Sequence, residues 1–215
     1  PLDKQTHPHL HTVVLSPSGN LLFVSDKGND QILMLRINYE TRKLELCGGK
    51  PYDTVPGASV RCAVFHPTQP WLFTNHETTA VVASFRYEES GALAPVSVAS
   101  ALPEGVEDSP AMMQSDIKMH PSGRHLYTLV RGINSVTAFD IDAATGRLTR
   151  TQTFRLEGKN PRSCTVSPDG RFLLVAMVLS AEVLVLAIGA DGTLAATGHK
   201  ATMPHPANMA FVPAK

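Results

Sequence analysis

The sequence predicts an all-β protein, a β-propeller built from four-stranded blades, on three observations. A unit recurs four times, as TVVLSPSG at Thr12–Gly19, CAVFHP at Cys62–Pro67, DIKMHPSG at Asp116–Gly123 and CTVSPDG at Cys164–Gly170, with a weaker copy, NMAFVP, at Asn208–Pro213. The anchoring prolines 17, 67, 121, 168 and 213 are 50, 54, 47 and 45 residues apart, a period that belongs to radial or stacked repeats. Between anchors the chain alternates short apolar or β-branched runs with turn clusters, and no stretch carries a convincing helical pattern.

The elements of one unit follow in order. In the first, Leu21–Val24 is an apolar run, Asp26–Asp30 a turn cluster, and Gln31–Ile37 a β-branched and apolar run. A second turn then leads into the fourth strand. It carries Gly-x-Leu at Gly91–Leu93, Gly146–Leu148 and Gly192–Leu194, and Lys43-Leu44 stands there in the first unit, where the glycine is missing. The Pro-x-Gly anchor reverses the chain between two strands, because Pro pre-sets φ and the Gly two residues on accepts a positive φ. The strand after the anchor is expected to be the inner one and apolar on both faces, as Leu126–Leu129 and Leu173–Ala176 are.

The repeat units are placed at 11–58, 59–112, 113–158 and 159–203, with a partial one at 204–215. Propellers close with about four to eight blades, so four units and partial ones are expected to be the carboxy-terminal part of a seven-bladed ring. The competing expectations are a complete small propeller and an open fragment completed by another chain. An open fragment would expose a blade edge and self-associate.

Composition excludes several function classes. Hydrophobic residues make up 43% of the chain, enough for a core, and 19 basic residues balance 19 acidic ones, so no global field draws nucleic acid or an anionic membrane. No run is long enough for a membrane helix. Cys47, Cys62 and Cys164 have neither disulfide nor metal spacing, which favours a reducing, cytoplasmic setting. The chain begins with Pro1, and no targeting signal is read from it.

Several segments resemble the β-propeller lactonases, the family of propeller-type 6-phosphogluconolactonase and 3-carboxy-cis,cis-muconate cyclase. His9–Pro17 and Ser25–Ile32 resemble its His-x-His-Ser and Asp-x-Gly-x-Asp signatures. Val60–Pro67 with Asn75-His76-Glu77 is similar to its Pro-Arg-His-x-x-Phe-His-Pro and Asn-Glu segment, Leu126–Gly132 to its Leu-Tyr-x-x-Asn-Arg-Gly blade, and Asn160–Ser163 to its Asn-Pro-Arg-Asp segment. The resemblance implies a cleft at one end of the propeller holding His11, Arg61, Glu77 and Arg131 as catalytic residues, with Arg61, Arg131, Arg162 and His9 binding substrate, and neither metal nor cofactor. Three departures stand out: Cys62 in place of a histidine, Val130 in place of an asparagine, and Val178 where relatives carry a glutamine. These leave the expected cleft more apolar.

Chemistry weighs each candidate separately. Arg131 ends an apolar strand before a Gly and offers a planar fork to a carboxylate or phosphate; its structural alternative is a salt bridge between blades. Glu77 ends the corresponding strand one blade earlier, where it is either a general acid or base or simply the partner of Arg61 or Arg131. His9 and His11, two apart, would share one face of an extended strand, a spacing that also suits a metal but lacks a third ligand. Imidazole as proton carrier is the preferred role, against a solvated histidine cluster. Cys62 on a buried strand reads as packing rather than nucleophile. The expected activity is hydrolysis of a small anionic lactone. The alternatives are the cyclase reaction on a carboxylate substrate, a non-catalytic binding scaffold and an inactive fragment.

Overall fold

The computed structural model describes residues 7–212. Its regular elements are strands, apart from single turns of 3-10 helix at Cys47–Gly49 and Val178–Ser180. The first blade holds β1 (Leu10–Leu15), β2 (Leu21–Asp26), β3 (Gln31–Asn38), β4 (Lys43–Leu46) and β5 (Tyr52–Asp53). The second holds β6 (Val60–Phe65), β7 (Trp71–His76), β8 (Val81–Tyr87) and β9 (Leu93–Ser100), and the third β10 (Gln114–Met119), β11 (His125–Val130), β12 (Ser135–Ile141) and β13 (Leu148–Arg155). The fourth holds β14 (Pro161–Val166), β15 (Phe172–Met177), β16 (Glu182–Ile188) and β17 (Leu194–Thr202). Each sheet is an antiparallel meander in chain order, the fourth strands of blades two to four starting at the leucine of Gly-x-Leu. In the first blade the fourth strand is split: β4 and β5 both pair with β3, on either side of the 3-10 turn. Residues 208–212 of the expected fifth unit form no strand, and Pro213 lies outside the described residues.

The strands nearest the axis are β1, β6, β10 and β14, which pack against one another from blade to blade. They precede the Pro anchor. The expectation that the strand after the anchor is innermost is therefore corrected: Leu126–Leu129 and Leu173–Ala176 lie in second strands. In the second and third blades the second strand is apolar on both faces, because each of these sheets has a neighbour on either side. In β7, Trp71 and Phe73 join a cluster with Ile117, Leu126 and Phe139 of the third blade, while Leu72 turns back to Leu21, Phe23 and Ile32 of the first. In β11 the alternation repeats, with Tyr127 and Leu129 packing against Leu173, Val175 and Leu184 of the fourth blade. Each apolar cluster lies at one blade seam.

Polar groups stitch the same seams. The Trp71 indole Nε1 donates to Ala143 O at 3.1 Å, the Ser25 hydroxyl to Arg61 O at 2.6 Å and the Ser115 hydroxyl to Pro161 O at 2.6 Å. The anchor turns contribute as well. Gly170 closes its turn on Ser167 O at 2.8 Å with φ at 74°, and His120 Nε2 of the preceding blade lies 2.9 Å from Gly170 O.

A Cβ on Gly170 would lie 2.5 Å from His120 Nε2. Gly170→Ala is expected to lower unfolding free energy by about 2 kcal/mol, combining the positive-φ cost with the clash. In a His120→Ala background the penalty should fall to about 1 kcal/mol, the φ cost alone. Equal penalties in both backgrounds, by urea unfolding, would show that the ring does not press on this turn.

Candidate active site

Two backbone positions, repeated in every blade, build the site. The first is a β-bulge on the innermost strand, where the register slips between Leu10 and Thr12, Val60 and Cys62, Gln114 and Ile117, and Pro161 and Ser163. The inserted residue is His11 in the first blade, Arg61 in the second and Arg162 in the fourth. A bulge leaves its residue out of the ladder and re-aims the side chain. Backbone N–H groups beside the bulge find side-chain acceptors instead: Thr12 N donates to Ser25 Oγ at 3.0 Å and Cys62 N to Asn75 Oδ1 at 2.9 Å.

The second position is the residue just past each second strand. Lys27, Glu77, Arg131 and Val178 occupy it, and their N–H groups donate to His9 O, Ser59 O, Met113 O and Asn160 O at 3.1, 2.9, 2.9 and 3.1 Å. Four equivalent backbones thus carry a cation, an anion, a second cation and an apolar side chain.

Glu77 gathers the charges. Its Oε2 takes the Lys27 ammonium and its Oε1 the Arg131 guanidinium, and Arg61 Nε stands 3.6 Å from Oε2, an ion pair too long for a hydrogen bond. Arg131 Nη2 also donates to Gln114 O at 3.1 Å, and Arg61 Nη1 points at Cys62 Sγ at 3.3 Å. The Nε atoms of Arg61 and Arg131 are buried without a hydrogen-bond partner. Both donors are shielded from solvent, so leaving them unpaired is a cost of the cluster's burial. Burial pushes the Glu77 carboxyl up, but hydrogen bonds and charge from Lys27, Arg131 and Arg61 outweigh it and hold the group below its ordinary value. Glu77 is therefore an anion at neutral pH and unsuited to act as a general acid.

His11 is half-buried, and its Nδ1 lies 2.8 Å from Thr12 Oγ1 and 3.9 Å from Cys62 Sγ. Burial, then the charges of Arg61 and Lys27, lower its pKa to about 4, so the ring is neutral at physiological pH. Cys62 is buried among Thr12, Arg61 and the Ser115 carbonyl, and burial raises its thiol pKa, which fits the packing role and not that of a nucleophile.

Two cavities flank this cluster, and Arg131 lines neither of them. A mouth cleft of about 580 Å³ is lined by His9, Lys27, Glu77, Thr78 and a segment around Asp108. An axial cavity of about 470 Å³ is lined by His11, Arg61, Cys62, Lys118, Arg162 and Ser163. His11, Arg61, Glu77 and Arg131 come together, linked through Glu77 and Cys62. His9 and His11 do not share a face: the bulge at His11 breaks the period of two, so His9 opens on the mouth and His11 on the axis. Arg162 is exposed and lies with His11 and Arg61 on the axial side, making no contact with Glu77. Among the described residues no group of three His, Cys, Asp or Glu could hold a metal. Lys27 was not among the sequence candidates. Aligning the repeats would have found it, since it occupies in the first blade the place of Glu77 and Arg131 in theirs.

The family model described as "Lactonase, 7-bladed beta-propeller" matches residues 1–211. The chain belongs to this lactonase family. Among curated relatives, 6-phosphogluconolactonase of Bacillus subtilis is 26% identical over 177 residues, covering 82% of this chain and 49% of that protein. A 6-phosphogluconolactonase of Enterobacter is 26% identical over 193 residues, covering 89% of this chain and 57% of that protein. The lactonase-family chain thus spans about half the length of the curated relatives it matches. The structure of the periplasmic gluconolactonase of Pseudomonas aeruginosa superposes with a TM-score of 0.90 at 28% identity, covering 97% of this chain and 58% of that one. Among the described residues, no helix is long and apolar enough to cross a membrane.

The geometry orders the effects of two substitutions. Glu77→Gln leaves three cations around a neutral amide and should cost about 3 kcal/mol of unfolding free energy. Arg131→Ala leaves Glu77 with Lys27 and Arg61 and should cost roughly half as much. The reverse order in denaturant titrations would contradict a shared carboxylate. Acid acts through the histidines: His11 and His76, each lowered to about 4 chiefly by burial, stay neutral when folded while unfolded histidine takes up a proton near pH 6.5. Their contribution to stability is thus intact above pH 6.5 and is lost progressively as pH falls to about 4. Glu77, held low, adds to the loss further into acid. The urea midpoint should fall between pH 7 and pH 4, and NMR titration should show these two rings unprotonated at pH 5.5.

Proposed function

We propose that the chain hydrolyses a small anionic sugar lactone at the Glu77 cluster, between the mouth cleft and the axial cavity, with 6-phosphogluconolactone as the first substrate to test. The observation that carries the proposal is the convergence of Lys27, Arg61 and Arg131, from three successive blades, on the one buried carboxylate of Glu77. The family and the names of its relatives support the same chemistry.

In this mechanism Glu77 positions the guanidiniums and does not deliver a proton. The guanidiniums of Arg61 and Arg131 stabilise the oxyanion that forms as water adds to the lactone carbonyl, and hold the substrate's anionic group. His11, neutral at physiological pH, takes the proton from the attacking water. The resulting imidazolium returns it to the ring oxygen as the ring opens. His9 and Arg162 bind the parts of the substrate that extend into the mouth and along the axis. Neither metal nor cofactor has a role in this scheme. The free thiols of Cys47, Cys62 and Cys164 support a cytoplasmic setting, although the Pseudomonas relative is periplasmic.

Turnover of 6-phosphogluconolactone and 3-carboxymuconate, measured side by side, tests the assignment. Hydrolysis of the first supports it, cyclisation of the second replaces it with the cyclase reaction, and turnover of neither leaves a binding scaffold. His11→Asn should lower kcat by about a hundredfold or more. The acid limb of the wild-type rate should disappear in that variant. Since a bound anion offsets Arg61 and Lys27, the limb in kcat should lie at higher pH than the limb in kcat/KM. Coincident limbs in wild type, or an unchanged limb in the variant, would remove His11 from the proton transfer.

A further inference from the structure

The link between the second and third blades differs from its counterparts. It runs over residues 101–113, whereas the corresponding links are 54–59 and 156–160. Both ends are fixed. Ala101 and Leu102 are buried, Ala101 O accepts the Thr137 hydroxyl at 2.6 Å, and Val106 and Met112 pack on the apolar cluster between the two blades. At the return, a Cβ on Gly132 would lie 2.3 Å from Ala111 O and 2.9 Å from Met112 Sδ. Glycine beside Arg131 is thus what admits the segment at the mouth. Between these anchors Asp108, Ser109 and Pro110 line the same cleft as His9, Lys27 and Glu77. Asp108 is exposed and makes no ion pair with a cation among the described residues.

Lys27 at the edge of the Glu77 cluster and an acidic wall at Asp108, in one cleft, suit a ligand with two different ends. An ionised carboxylate is an acceptor only, so hydroxyl donors satisfy it, whereas a substrate carrying carboxylates on all sides meets like charge there. We propose that Asp108 is a specificity-determining residue, accepting hydrogen bonds from the ring hydroxyls of a sugar lactone whose anionic end faces the Glu77 cluster on the Lys27 side. This assignment rests on the lactone-hydrolysis reading and narrows it to polyhydroxylated substrates, against hydroxyl-free lactones and polycarboxylates.

The test compares wild type with Asp108→Ala, an exposed loop change that leaves the cores untouched, on glucono-δ-lactone and on δ-valerolactone, which has no hydroxyls. The KM for glucono-δ-lactone should rise about tenfold with kcat within about threefold, while kcat/KM for δ-valerolactone stays unchanged. Asp108→Asn, which keeps an acceptor oxygen, should recover part of the loss. Equal effects on both lactones, or none on either, would overturn the assignment. Calorimetric binding of gluconate and of hexanoate separates this claim from the catalytic one. If wild type turns over neither lactone, hydrolysis falls, yet Asp108 still stands if its loss weakens gluconate alone. It falls if both acids weaken together, if neither changes, or if wild type does not bind gluconate.

Discussion

The second and third sheets of this chain are each covered on both faces by their neighbours, and the rest of the structure depends on that. A second strand with no solvent-facing side must be apolar at consecutive positions, and β7 and β11 are buried along their whole length. Backbone groups at the seams cannot turn to water, so they turn to the next blade: Cys164 N to Asp116 Oδ2 at 3.0 Å, the Ser25 hydroxyl to the Arg61 carbonyl, the His120 ring to the Gly170 carbonyl. The same closeness brings the strand ends of three blades within reach of one carboxylate.

The site is a repeat whose backbone is kept and whose side chains are broken. Lys27, Glu77, Arg131 and Val178 hang from equivalent hydrogen bonds, so their relative positions come from the propeller and their chemistry from substitution within it. Two forces oppose each other at Glu77. Burial disfavours the charged carboxylate, while the surrounding cations favour it, and the lowered pKa shows that pairing prevails. The arginine side chains are thereby held largely out of water, where a hydrogen bond counts for more than at an exposed surface.

Much of this was legible in the sequence because the repeat encodes it. The Pro-x-Gly turns, the Gly-x-Leu entry to the fourth strand and the doubly apolar second strands all appear as local patterns with local causes. His11, Arg61, Glu77 and Arg131 came from resemblance, and the structure brings them into one cluster. Three features did not show. The innermost strand was assigned one position late, because a half-exposed strand such as Leu10–Leu15 looks less buried than the one behind it. The shared face of His9 and His11 failed because a bulge leaves no mark in composition or period. Lys27 looked like a turn residue, since its meaning comes from two other blades and not from its neighbours in the chain.

The lone tryptophan, Trp71, sits within the seam between the second and third blades, 8% exposed, its indole N–H spent on the Ala143 carbonyl across the gap. Emission from that single chromophore therefore monitors the parting of these two blades, on whose strand ends Glu77 and Arg131 ride. Loosening of the seam that carries the candidate site can be followed optically without attaching a dye.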